Sequence, residues 1–321
     1  MRWQADLAGA RRRVLGRILR GLDALRAARV WDRSDDLHKI NLLTHGQPGN
    51  GTFWRGVPRE RFRRMDAARW LVAWRQRLGC QVAAEGATCA NRRANDDVEA
   101  DDIGAANCCG QPLGALAEHA HHCGLGPGRL RAHHAVVKVC ARKAETAGAF
   151  IDMERRVPEL YQPNGDGFIE AVMDVVVQWP AAARPRWVDV NIRSSYAPSV
   201  VGATVRPGSA AAHGDYLKHQ RYGEHVLPLS LETGGRLSTE GLQTVSVLVG
   251  DSRMHGRLHF GRGSRGFAAR ALRAQLEAAL LREIADLTLA AMGAAVDHLL
   301  PRGGPRAGGQ GGGGRGGSAE P

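Results

Sequence analysis

FIEAVMDVVVQW (residues 168–179) and RWVDVNI (residues 186–192) are the two stretches that decide the fold of this chain. Both are rich in β-branched and aromatic residues, which favour strands, and each carries one aspartate among valines, Asp174 and Asp189. A buried carboxylate is costly unless it is paired or binds a metal. The pair therefore predicts a divalent-cation site. The competing interpretation is that each aspartate is an edge-strand charge that faces water.

The connection between the two strands sets the expected geometry of this site. Residues 180–185 contain a proline at each end and predict a loop that joins an antiparallel hairpin. A symmetric hairpin would place Asp174 opposite Asn191, with Asp189 on the diagonal and on the same face as Trp187 and Asn191. Opposite and diagonal neighbours lie about 5–8 Å apart, which suits two carboxylates that share one hard cation.

The elements around these strands predict a mixed α/β (α+β) fold with a central mixed sheet. Apolar residues at helical spacing and terminal glycines indicate helices before and after the strands. The predicted order is α-β-β-β-α-β, and it resembles the core of restriction-endonuclease-like nucleases. The predicted elements are a helix at 130–148, strands at 150–157, 168–179 and 186–192, a helix at 209–221 and a strand at 225–231.

Residues 150–236 also resemble the endonuclease-bearing C-terminal region of site-specific non-LTR retrotransposon polyproteins, and stand-alone reading frames related to it. That family carries a PD-(D/E)xK-type pattern: Lys/Arg-Pro-Asp, a second Asp twelve to fourteen residues later, then a Lys and a Tyr. This chain departs at the first motif, where Val172 and Met173 replace the basic residue and the proline. The residues that match are Asp174, Asp189 after fourteen residues, and Lys218 and Tyr222 in KHQRYG.

The resemblance implies Mg²⁺-dependent hydrolysis of a DNA phosphodiester. Asp174 and Asp189 would hold Mg²⁺, Lys218 would stabilise the developing charge or orient the water, and Glu154 would be a third acidic member. No reverse-transcriptase signature is present in these residues. The competing hypotheses are a nucleic-acid-binding protein with a dead nuclease fold, and a non-functional mobile-element remnant.

The six cysteines predict a metal site rather than disulfides. The N-terminus has no apolar core or cleavage site of a secretory signal, and clustered Cys with His is typical of metal binding. CCGQPLGALAEHAHHC resembles the Cys-Cys-His-Cys zinc site of the same family, but Ala106 stands where the first partner cysteine is expected. The competing interpretation is a degenerate remnant. The predicted zinc ligands are Cys109, His119 and Cys123, with Cys108 or Cys89 as the fourth and His121 and His122 as alternates.

Charge predicts a nucleic-acid partner. Residues 1–80 contain eighteen Arg and Lys against seven Asp and Glu, so they carry +11 of the formal net charge of +12. We expect DNA, with RNA as the alternative, rather than a membrane. The competing interpretation is a solvated surface on helices that cover a core. The predicted contacts are Arg11, Arg12 and Arg13, together with His133, which matches the histidine of the family's Arg-His-Asn helix start, and Arg131, which precedes it. His134 stands where the family has asparagine.

The remaining segments complete the expected organisation. No run of eighteen apolar residues predicts a membrane span, no small-molecule cofactor is expected, and the basic RRR run predicts a nuclear location. An amphipathic helix at 267–300 either closes the core or pairs with a partner. The predicted divisions are a basic helical region (1–79), a Cys/His zinc-knuckle-like segment with an inserted acidic loop (80–129), an endonuclease-like core (130–236), a C-terminal helical region (237–302) and a disordered glycine-rich tail (303–321).

Overall fold

A computed structural model describes residues 39, 41, 65–92, 108–165, 167–180, 182–200, 206–250 and 264–293. The predicted DNA contacts at Arg11, Arg12 and Arg13 and the predicted tail lie outside these residues. In the described part the chain is mixed α/β, with five α-helices and a mixed sheet of four strands, which confirms the predicted fold class at this level. None of the helices described there is long and apolar enough to span a membrane.

The helices and strands follow the predicted order from α2 to β6, apart from one additional small hairpin. The helices are α1 (Ala67–Leu78), a 3-10 turn (Glu118–His121), α2 (Gly128–Thr146), α3 (Ser209–Tyr222), α4 (Thr239–Leu248) and α5 (Ser264–Met292). The strands are β1 (Phe150–Arg156), β2 (Gln162–Asn164), β3 (Gly167–Ile169), β4 (Val172–Gln178), β5 (Arg186–Arg193) and β6 (Val226–Glu232).

The main sheet has the strand order β1-β4-β5-β6. β4 pairs antiparallel with β1 and β5, and β6 pairs parallel with β5 after the crossover through α3. The prediction of one strand over 168–179 is wrong, because this stretch divides between β3 and β4. β3 turns back on β2 in a separate hairpin around Gly165, whose φ of +57° is a left-handed conformation that glycine adopts readily.

The register of β4 on β5 also differs from the prediction. Val175 pairs with Val188 and Val177 with Arg186, so one further step along the strands puts Asp174 across from Asp189 rather than Asn191. The predicted register is wrong by two residues because the loop is asymmetric. The chain already turns after β4, where the Ala182 amide donates to the Trp179 carbonyl. The paired stretch ends at Val175, so β4 and β5 separate at the two aspartates.

Helices α2, α4 and α5 cover one face of the sheet and form the main core with it. Val175, Val188 and Leu229 of the sheet are fully buried in this core. The predicted helix at 267–300 is α5, and it closes the core, with Leu272, Leu276, Leu280, Ile284 and Leu287 buried. α3 packs on β5 and β6, and its Tyr222 joins a smaller core with Met173, Val176 and Val226.

α1 and the cysteine segment pack on the far end of α5. Asp66 caps the N-terminus of α1 through the Arg69 amide, and Gly79 ends the helix in a left-handed conformation with φ of +66°. Val72, Val82 and Leu113 are fully buried against Ala291 and Met292 of α5. The cysteine segment is therefore attached to the helix that also closes the main core.

Candidate metal centre and acidic site

Four side chains of the cysteine segment converge on one point. The ligand atoms of Cys89, Cys109, His119 and Cys123 all lie within 4.8 Å of one another. The Cys89 and Cys123 sulfurs are 3.8 Å apart, and the Cys109 sulfur lies 3.2 Å from His119 Nε2. Tetrahedral zinc with bonds of about 2.0–2.3 Å requires ligand atoms roughly 3.3–3.8 Å apart. This Cys₃His group could hold a metal ion and is compatible with zinc.

Backbone pairing decides which cysteine completes the group. The Cys89 amide donates to the Gln111 carbonyl, the Gly110 amide to the Cys89 carbonyl, and the Cys109 amide to the Asn91 carbonyl. These bonds place Cys89 beside Cys109 on two antiparallel segments. Of the two cysteines that the sequence left open, Cys89 therefore joins the group and Cys108 does not.

The 3-10 turn supplies His119, and Cys123 follows two residues after the turn ends. The Cys123 amide donates to the His119 carbonyl, so these side chains lie one turn apart on the same side. Neither alternate histidine joins them. The His122 ring packs edge-on against His119, whereas His121 is buried between Gln76 Nε2 at 2.8 Å and Thr233 Oγ1 at 3.0 Å. Burial lowers the pKa of His121 to about 3, so its ring is neutral and links α1 to the end of β6.

The two aspartates stand across from each other where β4 and β5 separate, near enough for each carboxyl group to shift the pKa of the other. Asp174 Oδ2 accepts the Val190 amide at 2.6 Å and His133 Nε2 at 3.1 Å. Asp189 Oδ2 lies 2.7 Å from Lys218 Nζ, and the Asp189 side chain is only 4% exposed. We call Asp174, Asp189, His133 and Lys218 the acidic site.

Two strands and two helices position this site. Lys218 and Tyr222 lie on α3 one turn apart, and Lys218 Nζ is 5.9 Å from the centre of the buried Tyr222 ring. His133 lies on α2, which packs against the sheet from the other face. The site therefore lies between two helices on opposite faces of the sheet, at a gap between its strands.

Glu154 lies at the neighbouring position on β1 but does not contact the two aspartates in this structure. Its Oε1 is 3.7 Å from His134 Nε2, and two thirds of its side chain is exposed. Glu154 interrupts the β1–β4 pairing opposite Asp174 and has a left-handed φ of +53°. Non-glycine residues seldom adopt this conformation, which costs about 1–3 kcal/mol and is concentrated at functional sites.

The two carboxyl groups have opposite pKa shifts. Burial raises the pKa of Asp189 to about 7, with the neighbouring Asp174 acting in the same direction and Lys218 opposing it. Burial also acts to raise the pKa of Asp174, but hydrogen bonds from His133, Asp189 and the Val190 amide outweigh it and lower the pKa. The hydrogen bond to Asp174 raises the pKa of His133. Asp174 therefore keeps its negative charge, whereas Asp189 holds a proton that it loses near pH 7.

A cleft of about 440 Å³ lies between the acidic site and the cysteine segment. His133 and Lys218, which hold the two aspartates, line one part of it, and His121 and Thr233 line another. Arg129 stands on the rim, in the first turn of α2. The cleft therefore combines cationic and polar groups with apolar side chains such as Leu130, Val190 and Ile284, and it lies beside the two carboxyl groups.

Asp215 is another buried carboxyl group, on α3 and facing β6, and it predicts a pH effect on stability. Burial raises its pKa to about 6, despite the lowering effect of the Ser238 and Ser230 hydroxyls. The folded protein then keeps a proton that the unfolded chain releases near pH 4, so stability falls as pH rises from about 4 to about 6. As the pH rises from about 4 to about 6, wild type should lose this stabilisation whereas Asp215→Asn should not. The free energy of unfolding of the variant should therefore rise relative to that of wild type, by at most about 3 kcal/mol.

Urea unfolding of both proteins at pH 4 and pH 7 measures this effect, because the other titrating groups contribute equally and cancel in the difference. A wild-type-to-Asn difference that does not change with pH would contradict the assignment.

Comparisons with protein-family models, with curated proteins and with solved structures match this chain to none of them. The metal group and the acidic site are therefore the observations that bear on function.

Proposed function

We propose that the acidic site is the centre of a metal-dependent DNA endonuclease built on a restriction-endonuclease-like core and derived from a retrotransposon. The observation that carries the proposal is the placement of two carboxyl groups, the buried Asp189 and the largely buried Asp174, across from each other at the gap between β4 and β5, with Lys218 paired to Asp189. Two carboxylates are costly to hold together in a protein interior. Binding of a hard cation between the two carboxylates would offset this cost.

The donor set fits magnesium. Mg²⁺ is typically bound through one or two carboxylates, with water and substrate phosphate filling the other positions. Asp174 and Asp189 supply these carboxylates, and Glu154 lies on the adjacent strand. When bound, Mg²⁺ would polarise a phosphoryl oxygen and lower the pKa of a coordinated water.

The other residues of the site have distinct roles in this proposal. His133 and the Val190 amide fix the Asp174 carboxylate, so its oxygens are already oriented. Lys218 bonds to Asp189 in the free protein, and its ammonium group can turn to a phosphate oxygen once a cation takes over that carboxylate. Asp189 must be ionised to accept the cation, so binding releases the proton that burial favours.

We assign a structural role to zinc at the Cys₃His group. All four protein ligands are in place, which is the closed arrangement of structural rather than catalytic zinc. The adjacent buried network of Gln76, His121 and Thr233 ties this segment to the core. The zinc segment would therefore form one wall of the DNA cleft.

A DNA-binding protein with an inactive nuclease fold is the second candidate. Two observations favour it: both carboxyl groups are already engaged by His133 and Lys218, and Val172 and Met173 replace the family's basic residue and proline. In this case the cleft would bind the DNA backbone without hydrolysing it.

Plasmid nicking distinguishes the two candidates. Wild-type protein is incubated with supercoiled plasmid with and without Mg²⁺, and no chelator is used, because a chelator would also remove metal from the cysteines. We expect nicked circles only with Mg²⁺. DNA binding without nicking at any Mg²⁺ concentration would support the inactive fold.

A further inference from the structure

The cleft between the acidic site and the cysteine segment is much smaller than duplex DNA. Its volume is about 440 Å³, within the range of about 300–1,000 Å³ that holds one small-molecule ligand. A cube of this volume is roughly 8 Å on a side, whereas the major groove of B-DNA alone is about 12 Å wide. A duplex therefore passes over the cleft, and a unit no larger than one nucleotide can enter it.

Part of the lining of the cleft is apolar. Leu130 of α2, Ile192 of β5 and Ile284 of α5 contribute to it, and Leu130 is 57% exposed. A backbone phosphate gains nothing from these side chains, whereas a base that has left the stack packs its face against apolar groups. The cationic Lys218 and Arg129 line the same cleft. The lining therefore matches both the base and the phosphate of one nucleotide.

A buried hydroxyl group in the cleft lacks an acceptor. Gln76 Nε2 donates to the Leu116 carbonyl, which fixes this amide nitrogen at 2.8 Å from His121 Nε2. An amide nitrogen cannot accept, so His121 Nε2 accepts and His121 Nδ1 donates to Thr233 Oγ1. Thr233 is 2% exposed and lines the cleft, and no group of the described residues accepts its hydroxyl proton. Because buried donors are normally paired, this hydroxyl is available to a ligand in the cleft.

The edge of β5 adds further directional groups. Val190, Asn191 and Ile192 line the cleft beyond the point where β4 stops pairing with β5. Successive side chains point to opposite faces of a strand, so the common position of these three residues indicates that the strand edge faces the cleft. A strand edge presents backbone N–H and C=O groups, which match the donors and acceptors on the edge of a base.

We propose that the cleft holds one unpaired nucleotide of the DNA, next to the phosphodiester at the acidic site, so that the protein acts on DNA with a single-stranded segment at the cleavage position. His133 and Lys218 line the cleft and also contact Asp174 and Asp189, so a nucleotide in the cleft is contiguous with that phosphodiester. Negatively supercoiled plasmid opens more readily than relaxed duplex and also offers such a segment. The identification of the ligand as DNA rests on the proposed function.

Binding measured without Mg²⁺ tests this proposal separately from hydrolysis. Zinc-loaded full-length protein is titrated against three fluorescein-labelled DNA probes, and anisotropy reports binding. The probes are a blunt duplex, the same duplex with an unpaired single-stranded arm, and the same duplex with an arm of abasic nucleotides. We expect wild type to bind the normal arm about tenfold more tightly than either of the other two probes, because only the normal arm offers an unpaired base.

Two substitutions remove groups that would hold the base. Leu130→Ala and Thr233→Val should each lower the affinity for the normal arm about fivefold without changing the affinity for the duplex. Thr233→Ser keeps the hydroxyl and should bind the arm like wild type. Leu78→Ala is the matched control for Leu130→Ala, because Leu78 is 58% exposed on α1 and does not line the cleft. Leu130 is exposed, so Leu130→Ala tests the cleft even where Thr233→Val is destabilised.

Each of three results would overturn the proposal: equal affinity of wild type for the normal arm and the duplex, equal affinity for the normal and abasic arms, or unchanged binding of the arm by Leu130→Ala. A free nucleotide is the alternative ligand of the same chemistry. If thymidine monophosphate raises the Tm of wild type while wild type shows no preference for the arm, the cleft takes a free nucleotide and the proposal is wrong.

Plasmid nicking with Mg²⁺ separates this proposal from the proposed function. If wild type fails to nick plasmid but prefers the normal arm through Leu130, the nuclease is lost and the nucleotide site stands. If wild type nicks plasmid and Leu130→Ala binds the arm normally, the nucleotide site alone is wrong.

Discussion

Cys89→Ser should cost the protein its zinc and several kcal/mol of stability. Wild type should contain one zinc ion per chain, because four ligand atoms already converge at distances compatible with tetrahedral coordination. Structural zinc supplies about 10–16 kcal/mol of apparent binding free energy in small zinc-finger peptides, so the loss of one ligand removes a substantial part of that stabilisation. The cysteines share a core with α5, so the loss should also reach the main core. Zinc content by mass spectrometry and Tm by circular dichroism measure both effects.

Two other cysteines are controls for this experiment. Cys108 is adjacent to Cys109 but outside the group, so Cys108→Ser should keep both zinc and stability. Cys140 is fully buried in the main core, so Cys140→Ser should lose stability but keep zinc. Equal zinc content in wild type and Cys89→Ser would show that the four side chains do not form the metal site.

The strands and the long helices could be predicted because their sequence patterns are local. The valine-rich segments predicted β4 and β5. Gly148 and Gly223 follow α2 and α3, and both helices end within about two residues of the predicted positions. α4 was not predicted as a separate helix, although Ser238 at its N-cap and apolar Leu242, Val245 and Leu248 are a recognisable start and stripe. The Asn164-Gly165 turn signal predicts a hairpin loop, and β2 and β3 do pair there. The two strands themselves were not predicted, because three residues are too few for alternation to show.

The metal group shows where local reasoning ends. His119 and Cys123 lie four residues apart, so their convergence could be read from spacing. Cys89 reaches the group through backbone pairing with residues twenty or more positions away, and no spacing rule specifies such a contact. The same limit applies to His121, whose partners Gln76 and Thr233 come from two other parts of the chain.

At the acidic site the residue types were predictable and their contacts were not. Asp174, Asp189 and Lys218 are brought together, but the register differs by two residues because the loop after Gln178 turns early. His133 was interpreted as a nucleic-acid contact, and the structure places it on Asp174 while it still lines the cleft.

Asp189→Asn should reduce Mg²⁺-dependent nicking by at least about a hundredfold if the acidic site is the nuclease centre, a loss of about 2.7 kcal/mol in transition-state stabilisation. Asparagine has nearly the same shape but removes one of the two anionic ligands of the cation. The fold should persist, because burial already favours the neutral form of Asp189, and asparagine is neutral with nearly the same shape. DNA binding without Mg²⁺ should be equal or slightly tighter, because a negative charge next to the cleft is lost. Initial nicking rates and anisotropy titrations measure the two effects.

Asp152→Asn is the matched control. Asp152 lies on β1 of the same sheet, is more than half exposed and contacts only Arg155 among the ion pairs of the described residues. It should nick DNA at the wild-type rate. Equal rates for wild type, Asp189→Asn and Asp152→Asn would mean that the nicking arises outside the acidic site. If only Asp189→Asn loses nicking and it still binds DNA, then nicking depends on the buried carboxylate itself. A general loss of negative charge would reduce nicking in both variants.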